Sequence, residues 1–232
     1  MTEVVKKNAD LPVRLTSAVV MVSVAGLALW LGGWWLIGFI GLIAVITFGE
    51  FTSLIFKATD KFTYQFPAIL LAGLYVGEAA GALIWMNPIE VAAVVGVVIA
   101  TDTGAYFTGR AIGGPKIAPA ISPSKTWAGL FGGMTFAALL LAGIVIVWSA
   151  GARLSGGWLD AIEWTAVSLA MLSGAVLAVI AQSGDFFESW LKRKAGVKDS
   201  SHLIPGHGGV FDRIDGLLPV AIVASLVARF WQ

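Results

Sequence analysis

The sequence predicts an all-α, polytopic bundle of about seven membrane-crossing helices, forming a single membrane domain over residues 1–232. Three observations point there. Hydrophobic residues make up 58% of the 232-residue chain and charged residues only 12%, about half the ~25% usual in soluble domains, and mean hydropathy is +0.87. The apolar residues are gathered into long uninterrupted runs, and about 20 such residues are what a helix needs to cross the hydrocarbon core. Basic residues collect in alternate connections, the bias that orients membrane helices with their cations on the cytoplasmic side. The same composition excludes other classes. A net charge of +1, with no basic tail or interleaved aromatic–basic patch, leaves nothing to grip a nucleic acid. With no cysteine there is neither a disulfide framework nor thiolate chemistry.

Taken in order, the expected spans cover residues 14–31, 34–55, 66–86, 88–109, 127–149, 164–187 and 210–231. Lys6, Lys7 and Arg14 precede the first, which reads as a retained span: the apolar run resumes after a short Gly/Trp break, and no small-x-small cleavage site follows it. The joints at 32–33 and at Asn87-Pro88 are short enough to predict helical hairpins. With a cytoplasmic N-terminus, the inner segments carry thirteen of the fifteen basic residues and the outer ones only Arg153 and Arg229. Trp30, Trp34, Trp35, Trp85, Trp148, Trp158, Trp164 and Trp231 then fall at the outer boundary, and Trp127 and Trp190 at the inner one, where amphipathic rings favour the headgroup level. The chain divides into N-terminal spans (1–87) and a part (88–232) with two polar, basic, Gly/Pro-rich cytoplasmic loops, 110–126 and 192–209. The outer connection 150–163 is short, with Gly151, Gly156 and Gly157, and reads as plain connection.

Residues 182–215 concentrate the chemistry at one membrane boundary. Asp185 and Glu188 are spaced i, i+3, as are Asp212 and Asp215, which puts each pair on one helical face. Two acidic pairs at adjacent helix ends suit one or two hard cations; Mg²⁺ takes oxygen ligands, commonly one or two carboxylates plus substrate phosphates. The alternative is a solvated face on which the acids pair with Lys192, Arg193 and Arg213. Between the pairs, Pro205-Gly206-His207-Gly208-Gly209 offers backbone N–H groups to an anion ahead of a helix start. His202 and His207 are too few for a zinc site. The loop 110–126 supplies Arg110, Lys116, Ser124, Lys125 and Thr126; its Ser-Lys-Thr ending lacks the glycine spacing of a P-loop. Asp102, with Thr101, Thr103 and Tyr106, makes a polar stripe expected to face the bundle interior. Glu50 is expected to snorkel or pair near Lys57, and mid-span Glu78 to be neutral or hydrogen-bonded; neither receives a functional role.

The order Ser189-x-Leu191-Lys192-Arg193-x4-Lys198-Asp199-x-Ser201-x2-Ile204-Pro205-x-His207-Gly208-Gly209-Val210-x-Asp212-Arg213-Ile214-Asp215 resembles the signature of the phosphatidate cytidylyltransferases, also called CDP-diacylglycerol synthases. The blocks from Asp102 to Arg110, from Ile121 to Thr126 and from Gln182 to Ser189 are similar to that family's too. The resemblance covers about residues 88–230; the first 87 agree only in being hydrophobic spans. It implies a nucleotidyltransferase of phospholipid biosynthesis in the cell membrane, with its site on the cytoplasmic side. The reaction would be CTP plus phosphatidic acid giving CDP-diacylglycerol and pyrophosphate, by in-line attack of the lipid phosphate on the α-phosphorus. By motif position, Asp185, Asp212 and Asp215 would hold Mg²⁺ and a second cation, Glu188 would be a ligand or support one, and Ser189 and Lys192 would contact phosphate. From their own chemistry, Arg110, Lys116 and Lys125 are candidates for the triphosphate, and Asp102, Ser124, Thr126, Arg193, Lys198, His207, Gly208, Gly209 and Arg213 for the rest of the substrate lining. A phosphate oxygen is already anionic at pH 7, so no base is required. The resemblance also implies a homodimer surrounded by membrane lipid. The Asp212-Arg-Ile-Asp215-Gly216 run begins like the metal motif of CDP-alcohol phosphotransferases, but no acid follows Asp215, so that reading fails.

Overall fold

A computed structural model describes residues 2–152 and 162–230. The described elements follow in chain order as α1 (Thr2–Leu31), α2 (Gly33–Ala58), α3 (Phe62–Trp85), α4 (Pro88–Ala111), β1 (Lys116–Ala118), β2 (Ser122–Thr126), α5 (Trp127–Ala152), α6 (Trp164–Lys194), α7 (Phe211–Ile214) and α8 (Leu217–Phe230). Among the described residues, six helices are long and apolar enough to cross a membrane, and the apolar stretch of α8, Leu217–Val227, is shorter. The chain is thus a multi-pass, all-α bundle. Arg153, Trp158 and most of the connection 150–163 lie outside the described residues, as does Trp231.

Two local results differ from expectation. The seventh run, 210–231, is divided into α7 and α8. Pro219 has no N–H to donate to the Asp215 carbonyl four residues back, and the Gly216 N–H donates to Asp215 Oδ1 at 2.8 Å. The helix is therefore interrupted where Asp215 stands. The loop 110–126 contains a two-stranded antiparallel ribbon, with Lys116 opposite Thr126 and Ala118 opposite Ser122.

The joints follow local chemistry. Gly32 and Gly33 take φ of 60° and 47°, open at little cost only to glycine, and join α1 to α2. Asn87 caps α4: its side chain accepts from the N–H groups of Ile89 and Glu90 at 3.0 Å each, and Glu90 Oε2 accepts from the Asn87 N–H at 2.9 Å. Pro88 fills the first helical position, where no N–H is missed.

Helices α4, α5 and α6 approach through positions without side chains. A Cβ on Gly104 would lie 2.6 Å from the Gly132 carbonyl oxygen, and one on Gly174 2.5 Å from that of Ala137. Inside a bilayer no hydrophobic force drives helices together, so such close van der Waals contact is a main source of association. A second cluster, including Phe51, Leu54, Leu191, Phe211 and Leu218, joins α2, α6, α7 and α8. The Phe51 and Phe211 rings stack with centroids 5.0 Å apart, which seats the start of α7 on the bundle. The ribbon and the C-terminal ends of α4 and α6 meet at one end of the bundle, together with α7 and the start of α8.

Candidate active site

Helix α6 carries Asp185, Glu188, Ser189 and Lys192 along its last turns, and what packs against each differs. Asp185 faces the ribbon. Lys125, pointing in from β2, pairs with Asp185 Oδ2, and its Nζ lies 5.6 Å from the centre of the Phe186 ring. Ser189 Oγ donates to Asp185 Oδ1 at 3.4 Å. Gly184, next in the chain, lets the α7–α8 junction come close: a Cβ there would sit 2.3 Å from the Asp215 carbonyl oxygen. Asp215 consequently stands within electrostatic reach of Asp185, Lys125 and Asp102. Burial pushes the Asp215 carboxyl up, to about 7; Asp185 and Asp102 add to this, and the Gly216 N–H and Lys125 oppose it. Three acids thus share one nearby lysine.

The stripe on α4 is divided between two faces. Thr101 is fully buried and donates to the Val97 carbonyl at 2.8 Å. Asp102, Tyr106 and Arg110, spaced i, i+4, i+8, are exposed, with Arg110 Nη1 donating to the Tyr106 hydroxyl at 3.0 Å. Asp102 also lies within electrostatic reach of Arg213. The exposed part of the stripe therefore lies outside the packed bundle, with Asp102 within electrostatic reach of Asp185 and Lys125.

Glu188 and Asp212 form a second, closed cluster. Lys192 Nζ donates to Glu188 Oε2 and to Asp212 Oδ1, both at 2.6 Å. Asp212 Oδ2 accepts from the Ser200 N–H at 2.9 Å, the Ser200 hydroxyl at 2.8 Å and the Gly209 N–H at 2.7 Å. Burial alone would raise the Asp212 carboxyl, but the Glu188 and Lys192 side chains, with the Gly209 and Ser200 N–H groups, hold it well below the usual carboxylate range. The four expected metal ligands are therefore divided, and Lys192 occupies the space between Glu188 and Asp212. Among the described residues no three Asp, Glu or His side chains close into a ready ligand cage.

The remaining candidates surround these clusters. Thr126 is buried, and its Oγ1 accepts from the Gly129 N–H at 3.0 Å, so it caps the start of α5. Lys116 and Ser124 sit exposed on the ribbon, where Lys116 Nζ reaches the Ser124 carbonyl at 3.5 Å. Arg193 Nε donates to the Ile121 carbonyl at 3.4 Å, tying the end of α6 to the ribbon. Arg213 donates through Nε (3.1 Å) and Nη2 (2.6 Å) to the His207 carbonyl, and His207 Nδ1 lies 2.8 Å from Ser17 Oγ on α1. These two residues order the glycine loop. Gly208 has φ 85°, and a Cβ there would lie 2.8 Å from Asp212 Oδ2. Lys198 is exposed on the outer side of the loop.

Sequence reasoning missed Glu50. It is 5% exposed, and its carboxylate accepts from Ser200 Oγ (3.1 Å), Ser201 Oγ (2.6 Å), the Val210 N–H (3.0 Å) and the Phe211 N–H (2.7 Å). Its partners lie about 150 residues away, so no spacing reveals them. The expected pairing with Lys57 is replaced by these loop contacts, and the available signal was an acid set within an otherwise apolar helix.

Residues 81–231 match the cytidylyltransferase family. The chain belongs to that family. The match includes α4 to α8 and both clusters, and leaves Glu50 outside. The chain is 48% identical over 130 residues to the phosphatidate cytidylyltransferase of Brucella suis, covering 56% of this chain and 43% of the relative. It is 48% identical over 121 residues to that of Haemophilus influenzae, covering 52% and 39%. It is also 38% identical over 162 residues to that of Helicobacter pylori strain J99, covering 70% and 52%. The matched segment therefore spans about half the length of each of these cytidylyltransferases.

Proposed function

We propose that this chain transfers a cytidylyl group from CTP to phosphatidic acid, releasing CDP-diacylglycerol and pyrophosphate. The observation that carries this reading is the cluster in which Asp185, Asp215 and Asp102 gather around Lys125, within the segment matching the family. The relatives' names supply the substrate class.

The donor set suits Mg²⁺. Asp215 is held in a buried, net-negative setting that a divalent ion would relieve, and buried Glu188 Oε1 has no hydrogen-bond partner. Asp185 and Asp215 would hold the ion, with substrate phosphates completing its shell. The bound ion would withdraw charge from the phosphates during transfer. Asp212, with one oxygen taken by three donors and the other by Lys192, serves as an anchor. Lys192 supplies the second positive charge of the site.

The protein's task is then positioning and charge neutralisation. Lys125, paired with Asp185, and Arg110, on the same exposed face of α4 as Asp102, orient the triphosphate; Ser189 and the free N–H of Lys192 direct the lipid phosphate. A phosphate oxygen of phosphatidic acid forms the new bond to the α-phosphorus as the bond to pyrophosphate breaks, and no proton need move. The basic residues of the inner segments support a cytoplasmic site in the cell membrane. Gly77 and Gly81, which have open space where a Cβ would stand, together with exposed Glu78, support a second copy packing along α3.

Membranes carrying the chain, given labelled CTP and phosphatidic acid, should form CDP-lipid that disappears with EDTA and returns with Mg²⁺. Label released only as inorganic phosphate, or passed from the γ-position to lipid, would replace cytidylyl transfer by phosphoryl transfer.

A further inference from the structure

We infer that Glu50 is a positioning residue for the transfer reaction: from α2 it fixes the 200–211 loop so that Asp212 holds Lys192 in place. This rests on the cytidylyl-transfer reading and extends it to a helix outside the matched segment.

Glu50 accepts three full hydrogen bonds from the loop, from the Ser201 hydroxyl and the N–H groups of Val210 and Phe211 at the start of α7, and shares the single Ser200 hydroxyl proton with Asp212. A buried carboxylate is costly unless its acceptor sites are filled, and here the loop fills them. Ser200 connects this carboxylate to the site. Its hydroxyl lies 3.1 Å from Glu50 Oε2 and 2.8 Å from Asp212 Oδ2, and its N–H donates to the same Asp212 oxygen. Ser200 is 1% exposed. Gly209 closes the arrangement: a Cβ there would lie 2.0 Å from Ser200 Oγ and 2.6 Å from Glu50 Oε2. Only glycine lets the backbone pass between the two carboxylates. Asp212 then fixes Lys192 Nζ against Glu188. Glu50 thus acts on the site through Ser200 and Asp212 and touches neither substrate.

Two bulk-stability contributors are separable from this role. Phe51 and Phe211, each adjacent to a partner in the network, already seat α7 on α2 through stacked rings. Neutralising Glu50 should therefore loosen the loop while the bundle stays folded.

The test uses the full chain in lipid nanodiscs, as wild type, Glu50→Gln, Glu50→Asp, Ser200→Ala and the Glu50→Gln/Ser200→Ala double variant. Glu50→Gln keeps the size but places an amide NH₂ against donors. It should lower kcat by about 100-fold, the effect of displacing a catalytic group by about an ångström, with a much smaller rise in KM for phosphatidic acid, whose phosphate Lys192 directs. Glu50→Asp, which keeps both acceptor oxygens, should recover part of kcat. The double variant should be no worse than the weaker single, because both act through one chain of contacts. Trypsin should cut after exposed Lys198 faster in Glu50→Gln than in wild type. If Glu50→Gln does not accumulate, Ser200→Ala alone should show the kcat-specific loss. Wild-type kcat, a loss wholly in KM, or multiplying losses in the double variant would overturn the inference. Unchanged cleavage at Lys198 in an active wild-type background would overturn the anchor alone. A wild type that forms no CDP-lipid, with cleavage still responding to Glu50→Gln, would overturn the transfer reading instead.

Discussion

Asp185/Glu188 and Asp212/Asp215 share one spacing, yet the fold regroups them across the two helices into pairs of opposite character. Asp212 and Glu188 meet over Lys192, and the loop's N–H groups fill the second Asp212 oxygen. Asp185 and Asp215 meet with Asp102 nearby and Lys125 as their nearby lysine. The first group is neutralised in large part by Lys192 and the loop, with Glu188 Oε1 left as its one buried oxygen without a hydrogen-bond partner among the described residues. The second is short of positive charge, and burial makes that shortage expensive. Equal spacing along the chain therefore does not mean equal chemistry: the partner contributed from elsewhere decides which carboxylates hold the structure and which are left for an ion.

The largest effects should come from opposite signs of stability at these two places. Asp215→Asn should lower activity by roughly 100- to 1,000-fold, the scale of removing a charge-stabilising group. It should also raise the melting temperature of the metal-free chain, because it removes a buried, mutually repelled charge. Asp212→Asn should lower activity too, but with a fall in stability of about 2–3 kcal/mol, since charged hydrogen bonds to Lys192 and the loop are lost. Thermal melts in EDTA, read beside CDP-lipid formation, check both. Melting shifts of the same sign in the two variants would remove the distinction between the pairs.

The helical class and most membrane spans were legible because apolar runs of span length have few other uses. The family signature likewise marked the segment from Ser189 to Asp215 without needing the fold. What stayed hidden depends on partners remote in sequence. Glu50 reads as an acid to be paired near Lys57 until the loop from Ser200 to Phe211 folds onto it. The break at Asp215 needed two separate facts, the missing N–H of Pro219 and the diversion of the Gly216 N–H. Thr126 has the composition of a phosphate contact, and only its distance to the Gly129 N–H shows that it caps a helix. The ribbon was missed because three- and five-residue strands, one containing Pro123, carry no hydrophobic alternation.

A third effect should appear in pH. The Asp215 carboxyl is pushed up from 3.8 to about 7 in the folded chain, so between those values the folded state binds more protons than the unfolded one. Stability must then fall as pH rises through that window. Asp212 has the opposite sign: its lowered carboxyl contributes stability above the unfolded value, and that stability is lost as pH falls below about 4. Metal-free melts should thus peak in mildly acidic buffer. Mg²⁺ should lessen the decline above the peak, because the ion takes the place of the proton, and Asp215→Asn should remove the Asp215 share of it without Mg²⁺.

The smallest effect separates a helix cap from a substrate contact. Thr126→Ala removes the acceptor for the Gly129 N–H and should cost about 1 kcal/mol, the usual price of a lost N-cap. KM for CTP should stay at the wild-type value, because the hydroxyl is buried against the start of α5. Lys125→Met, one residue away, should instead raise KM for CTP and, by removing the cluster's nearby lysine, steepen the fall of metal-free stability above pH 4. If Thr126→Ala raised that KM as much as Lys125→Met, the hydroxyl would have to turn toward the triphosphate during turnover, and the ribbon would be a moving part of the site.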